Sequence, residues 1–227
     1  MAELPICRYL DHAVLKPQYT SDEARAEIQA GLDLNVRTVC VRPSDVKLAR
    51  PMCDGTETGL CVVLGFPHGC QMTASKADEA RRYIDMGVEE IDMVINYGWA
   101  RGGQWGQVAE DIAAVSSQTR PAGIVLKTIF ETCYLTAEQI RKATDVAAGF
   151  HADFVKTSTG FADHGATVQA VSAMLDAAAG RVGVKASGGI RDLQTAERYL
   201  EMGCQRLGVG SGSSAAICRG GRSDDAY

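Results

Sequence analysis

Short apolar runs recur along this chain at fairly regular intervals, with polar or charged residues at alternate positions inside several of them. Eight of these runs read as β-strands: Leu10–Leu15, Thr38–Val41, Cys61–Phe66, Glu90–Ile95, Ile124–Phe130, Phe154–Ser158, Gly183–Ala186 and Arg206–Val209. Helical patterns lie between them. Thr20-Ser-Asp-Glu23 and Thr136-Ala-Glu-Gln139 have the form of capping boxes, in which the first and fourth side chains satisfy each other's free amides. The helical segment 74–86 runs into Gly87 and the segment 193–202 into Gly203, the residue that tolerates the positive φ of a helix end. Tyr83-Ile-Asp-Met-Gly87 and Tyr199-Leu-Glu-Met-Gly203 are near copies, each leading into a strand, and mark a repeated helix–strand unit.

Eight such units predict an α/β protein folded as a single (β/α)8 TIM barrel. An open doubly wound sheet is the alternative, but the absence of a G-x-G-x-x-G opening favours closure. The barrel is expected over residues 1–218. Residues 219–227 are polar and glycine-containing and are expected as a flexible C-terminal tail.

Side chains alternate along a strand, which orients the charged residues. In Ile91-Asp92-Met93 the apolar residues suit the helix-facing side, so Asp92 points into the barrel. The same count sends Lys127, Lys156 and Lys185 inward from the next three strands. Three cations and a carboxylate in a dry interior are costly unless they pair or shift their ionisation. Lys156 and Lys185 stand about one strand–helix repeat apart, hence side by side in a parallel sheet. Burial and a second cation both oppose protonation of a lysine. A neutral lysine attacks carbonyls, so the pair points to Schiff-base chemistry.

A second feature follows the last two strands. Gly188-Gly189 opens a helix, and Gly208-Val-Gly210-Ser211 offers further backbone amides and hydroxyls. Barrels often bind phosphate with these two loops. The expected ligand is a small phosphorylated carbonyl compound.

Composition narrows the partners. The 227 residues carry a formal net charge of −5 with no Lys/Arg run, which argues against nucleic acid. No stretch approaches the roughly 18 apolar residues of a membrane span. The N-terminus lacks a secretory pattern, so a cytoplasmic setting is expected. The eight cysteines form no C-x-x-C pair and read as reduced small hydrophobes. The four histidines have no i, i+4 spacing, and no metal is expected.

The motifs Val155-Lys-Thr-Ser-Thr-Gly-Phe161, Gly183-Val-Lys-Ala-Ser-Gly-Gly-Ile-Arg191, Glu90-Ile-Asp-Met-Val-Ile-Asn96 and Leu10-Asp-His12 with Leu15-Lys-Pro17 closely resemble the deoxyribose-phosphate aldolase family. Gly65-Phe-Pro67 and Glu131-Thr-Cys-Tyr-Leu-Thr136 fit as well, and the resemblance runs from about residue 8 to 217. It implies a metal-free class I aldolase that needs no cofactor. Such an enzyme reversibly cleaves 2-deoxyribose 5-phosphate to glyceraldehyde 3-phosphate and acetaldehyde. By the resemblance, Lys156 matches the Schiff-base lysine, Lys185 the lysine that depresses its pKa, and Asp92 the proton-relay carboxylate. Asp11, Cys40, Lys127 and Thr159 fall on substrate-contacting or supporting positions. Gly160, Gly188, Gly189, Gly208 and Ser211 fall with the phosphate site. The terminal Tyr227 is expected as a further proton relay. A homodimer is implied. Two departures stand out: Arg42 replaces a frequent Asn, and Gly210 a frequent Ser. Another phosphosugar barrel enzyme, an isomerase or decarboxylase, and an inactive phosphosugar-binding barrel are the competing readings.

Overall fold

Eight parallel strands close on themselves in strict chain order in the computed structural model, which describes residues 4–223. They are β1 (Leu10–Val14), β2 (Thr38–Val41), β3 (Gly59–Leu64), β4 (Glu90–Val94), β5 (Val125–Ile129), β6 (Phe154–Lys156), β7 (Gly183–Ser187) and β8 (Arg206–Gly210). The helices are α1 (Ser21–Asp33), α2 (Val46–Cys53), α3 (Thr73–Asp85), α4 (Tyr97–Arg101), α5 (Trp105–Thr119), α6 (Ala137–Gly149), α7 (Val168–Ala178), α8 (Leu193–Glu201) and α9 (Ser211–Cys218). The expected TIM barrel is the observed one, and each expected strand is present.

Local chemistry sets the boundaries. Both capping boxes form: the Thr20 hydroxyl accepts from Glu23 N, and the Thr136 hydroxyl from Gln139 N. Helices α3 and α8 end just before Gly87 (φ +80°) and Gly203 (φ +112°). Strand β3 begins two residues earlier than expected and stops at Leu64, because Gly65 takes φ +64° and turns the chain. Strand β6 is only three residues long and ends on Lys156 itself.

Alternation divides the sheet into two faces. Leu10, Val39, Val62, Ile91, Met93, Leu126, Val155, Val184 and Leu207 are fully or almost fully buried in the apolar layer beneath the helices. Leu15, Cys40, Cys61 and Val63 form a small apolar cluster of their own. A buried ion pair locks the helical layer to the end of β4. Lys76 Nζ lies 2.5 Å from Asp111 Oδ2 and donates to the Val94 carbonyl at 3.0 Å.

Two features differ from the sequence expectations. Cys7 joins Cys218 in a disulfide with Cα atoms 5.5 Å apart, so these two cysteines are not reduced hydrophobes. Closing a barrel brings the chain ends together, and a separation of 211 residues hides that from local pattern. Residues 219–223, expected as the start of the tail, run back along the β7–α8 connection. Ser223 N donates to the Arg191 carbonyl at 2.9 Å, and Arg222 bridges Asp192. Among the described residues no helix is long and apolar enough to cross a membrane.

His12 faces the helical layer, where its ring packs on α1. A Cβ added at Gly31 would stand 3.0 Å from His12 Cδ2, so only glycine lets the helix approach this closely. Nε2–H donates to the Glu27 carbonyl at 2.9 Å, while the buried Nδ1 has no partner. Burial lowers the His12 pKa to about 4, against the hydrogen bond to Glu27, which raises it. Between that value and the unfolded value near 6.5 the unfolded chain binds the extra proton. The contribution is therefore complete above about pH 6.5 and is lost as pH falls toward 4, at most about 3 kcal/mol. The difference in urea-unfolding free energy between wild type and His12→Leu should vary by about that amount across this window. A constant difference would show that His12 is not buried as the neutral ring.

Candidate active site

The barrel interior holds a continuous ionic cluster. The closed register makes neighbours of Asp92 and Lys127, of Lys156 and Lys185, and of Lys185 and Arg206. Asp92 accepts from three ammonium groups: Lys127 at 2.6 Å, Lys156 at 2.6 Å and Lys185 at 2.8 Å. Lys127 also reaches Glu90 at 2.6 Å and lies 3.4 Å from Asp11. Lys185 also bonds Asp11. Arg206 grips Glu90 with two nitrogens at 3.0 and 3.1 Å and Asp11 at 2.5 Å. The Thr38 hydroxyl donates to Asp11 at 2.8 Å.

Four cations thus face three carboxylates, an excess of one positive charge in a dry space. Among the described residues Lys127 and Lys185 each have a second carboxylate, and Lys156 pairs only with Asp92. Loss of the Lys156 proton would balance the cluster and leave no carboxylate orphaned. Lys156 is also the most exposed of the three lysines, at 4% against 0% for Lys127 and Lys185, and it is the last residue of β6.

The individual ionisations follow from this crowding. Burial pushes the Asp92 pKa up, but Lys127, Lys156 and Lys185 outweigh it and hold the carboxyl well below its usual range. Asp11 is likewise held down against burial, by Lys127, Lys185 and Arg206. Burial pushes Lys156 down, yet Asp92 outweighs it and raises the ammonium above the ordinary lysine value. In the free protein Lys156 is therefore an ion-paired cation, not the pre-neutralised amine expected from its neighbour Lys185. The sequence showed which lysines adjoin, but not that Asp92 lies between them.

Cys40 lies in the same interior beside Cys61, whose Sγ donates toward Asp92 at 3.3 Å. Cys40, Cys61 and Asp92 place donor atoms within 4.8 Å of one another. A metal cation there would meet three ammonium groups already on Asp92.

Gly188, Gly189, Arg191, Gly208, Gly210 and Ser213 line a cavity beyond the ends of β7 and β8. Gly189 has φ +79° and space where a side chain would project. Helix α9 begins here with no side-chain cap, leaving its first amides for an anion. Packing also demands glycines here. A Cβ at Gly188 would stand 2.8 Å from Gly165 Cα, and one at Gly208 would stand 2.7 Å from Ser187 Cβ.

The structure thus brings Asp11, Cys40, Asp92, Lys127, Lys156 and Lys185 into one interior, and Gly188, Gly189 and Gly208 into one cavity. Gly160 lies beside Gly188. Ser211 faces the Tyr19 hydroxyl at 3.4 Å, and Ser213 is the hydroxyl residue lining the cavity. Thr159 donates its hydroxyl to Glu131, so its proton is not free for a substrate. Tyr227 lies outside the described residues. Arg42 is no pocket contact: it binds Asp45 at 2.6 Å and the carbonyls of Lys16, Pro17 and Tyr19 at 2.9–3.1 Å, stitching down the β1–α1 connection. Glu90, Arg206, Thr38, Cys61 and Glu131 were not singled out from sequence. The first two were legible by alternation, since Glu90 shares a face with Asp92 and Arg206 with Gly208.

A family model described as DeoC/LacD family aldolase matches residues 9–212. The chain is 39% identical over 215 residues to the deoxyribose-phosphate aldolase of Mannheimia succiniciproducens, covering 95% of this chain and 94% of that one. The solved structure of a putative deoxyribose-phosphate aldolase from Coccidioides immitis superposes with a TM-score of 0.90 at 34% identity, covering 95% of this chain and 85% of that chain. A deoxyribose phosphate aldolase from Aeropyrum pernix, described as having a unique tetrameric structure, gives a TM-score of 0.86 at 25% identity, covering 94% and 89%.

The ionic cluster makes Arg206 a strong structural test. Arg206→Met removes the bidentate partner of Glu90 and one partner of Asp11 while keeping apolar volume. Breaking a buried ionic arrangement in this way costs about 3–5 kcal/mol. Urea unfolding at neutral pH should show that loss, and a loss below about 1 kcal/mol would mean that water reaches the base of the cluster.

Proposed function

The chain belongs to the DeoC/LacD family of aldolases, and on that premise we propose that it cleaves 2-deoxyribose 5-phosphate reversibly through an imine on Lys156. The observation that carries this reading is the position of Lys156. It lies at the mouth end of the ionic cluster, holding one carboxylate that it shares with two other ammonium groups.

The residues have distinct tasks in this reading. When the Lys156 proton leaves, Asp92 retains Lys127 and Lys185, so the amine is released without an uncompensated charge. Nζ attacks C1 of the open-chain sugar. Asp92, Lys185 and water pass protons as the carbinolamine loses water to give the protonated imine. The C3 hydroxyl then gives up its proton, the C2–C3 electron pair moves into the imine, and glyceraldehyde 3-phosphate departs. The remaining enamine is protonated at carbon and hydrolysed to acetaldehyde, restoring Lys156. The Gly188–Gly189 turn and the start of α9 support phosphate binding by backbone amides. The apolar cluster of Leu15, Cys40, Cys61 and Val63 suits the acetaldehyde methyl group. A cytoplasmic homodimer belongs to the same proposal, and sedimentation equilibrium separates two copies from the four of the Aeropyrum pernix relative.

Borohydride reduction in the presence of acetaldehyde, followed by peptide mass mapping, tests the chemistry. The adduct should map to Lys156, and Lys156→Ala should lose both trapping and turnover. Because attack needs the neutral amine, the rate should rise with pH through the apparent Lys156 pKa. Lys185→Leu leaves Asp92 more available to Lys156, strengthens its hold on the proton and should shift that limb to higher pH. An adduct on Lys127 or Lys185, or an unmoved limb, would sink the assignment.

A further inference from the structure

Glu131 stands two residues beyond β5 with φ +55° and ψ +64°, a left-handed conformation uncommon for a non-glycine residue, and it is the buried one of the four such residues described. Its carboxylate is buried, at 2% exposure, and its hydrogen-bond donors among the described residues come from Thr159. Thr159 N lies 3.3 Å from both carboxylate oxygens, and the Thr159 hydroxyl donates to one of them. The same hydroxyl accepts from Phe161 N at 3.0 Å. On either side, Phe130 N donates to the Lys156 carbonyl at 3.0 Å and Thr132 N to the Thr157 carbonyl at 2.9 Å.

The strained turn therefore grips the segment that begins with Lys156 and leads to Gly160, which in turn lies against Gly188 of the anion cavity. Strain concentrated on one buried acid, aimed at one loop, is the mark of a placed residue. Burial raises the Glu131 pKa, against which Thr159 and Lys156 pull it down.

We infer that Glu131 is a positioning residue for the aldolase reaction: it fixes the loop 156–160, which links the imine lysine to the anion cavity. This assignment rests on the aldolase reading. Glu131 touches neither the reacting atoms nor the anion cavity, and it acts through Thr159. The groups around Lys156 are Asp92 from β4, Cys40 from β2, Cys61 from β3, Lys127 from β5 and Lys185 from β7. Around Glu131 the titratable groups are Lys156, Tyr97 from α4 and Cys133 of its own turn.

Three variants test the assignment in the full-length chain: Glu131→Ala, Glu131→Gln and Thr159→Val. Amide hydrogen exchange over residues 156–161 reads positioning without reference to activity. Exchange should quicken in Glu131→Ala and in Thr159→Val, and stay near wild type in Glu131→Gln, which keeps an acceptor for Thr159. In Glu131→Ala, kcat for deoxyribose 5-phosphate should fall about a hundredfold, the usual consequence of a displacement near 1 Å. Borohydride trapping of acetaldehyde on Lys156 should persist. Glu131→Gln should recover kcat to within about tenfold. Unchanged exchange in Thr159→Val and Glu131→Ala, or a Glu131→Gln kcat as low as that of Glu131→Ala, overturns the assignment. Wild-type trapping on Lys156 scores the aldolase reading separately, and the exchange data stand whatever its result.

Discussion

Asp92 is the group on which the interior depends. A single carboxylate accepts from Lys127, Lys156 and Lys185, which arrive on three consecutive strands. Without it three ammonium groups would share a dry space with too few anions, at a cost of about 3–5 kcal/mol. The cluster is therefore both a structural staple and a store of chemical tension. Its second carboxylates, Asp11 and Glu90, serve Lys127, Lys185 and Arg206, and so leave Lys156 as the cation with the least support.

The distribution of charge gives the barrel a direction. On the β1–β3 side the interior includes the small apolar cluster of Leu15, Cys40, Cys61 and Val63, although Asp11 and Thr38 join the ionic network from β1 and β2. From β4 to β8 it is ionic. Past the ends of β7 and β8 it becomes an uncapped helix start and paired glycines. An apolar wall, the ammonium of Lys156 and a glycine-lined cavity thus follow one another across the mouth. Each is held by a different force: apolar burial, ion pairing and backbone amides.

Several supports lie one step behind this surface. Arg42 ties three carbonyls of the β1–α1 connection, Lys76 and Asp111 lock the helices to the end of β4, and Glu131 holds Thr159. These residues act on backbone and loops around Lys156 and the glycine-lined cavity.

Alternation and repetition by themselves determined much of this protein. Period-two patterning placed Asp92, Lys127, Lys156 and Lys185 inside, because a strand exposes successive side chains to opposite faces. The repeated helix–strand unit determined the closed barrel, and the paired glycines marked the turns at the anion cavity. Partnerships were decided only by the tertiary structure. Asp92 between the lysines, Arg206 against Glu90, Glu131 on Thr159 and Cys7 on Cys218 all join residues remote in sequence. Strand stagger and loop path set those distances, and neither is written in local pattern. For the same reason the ionisation of Lys156 was not legible: neighbouring lysines predict a lowered pKa, whereas the carboxylate that closure inserts between them raises it.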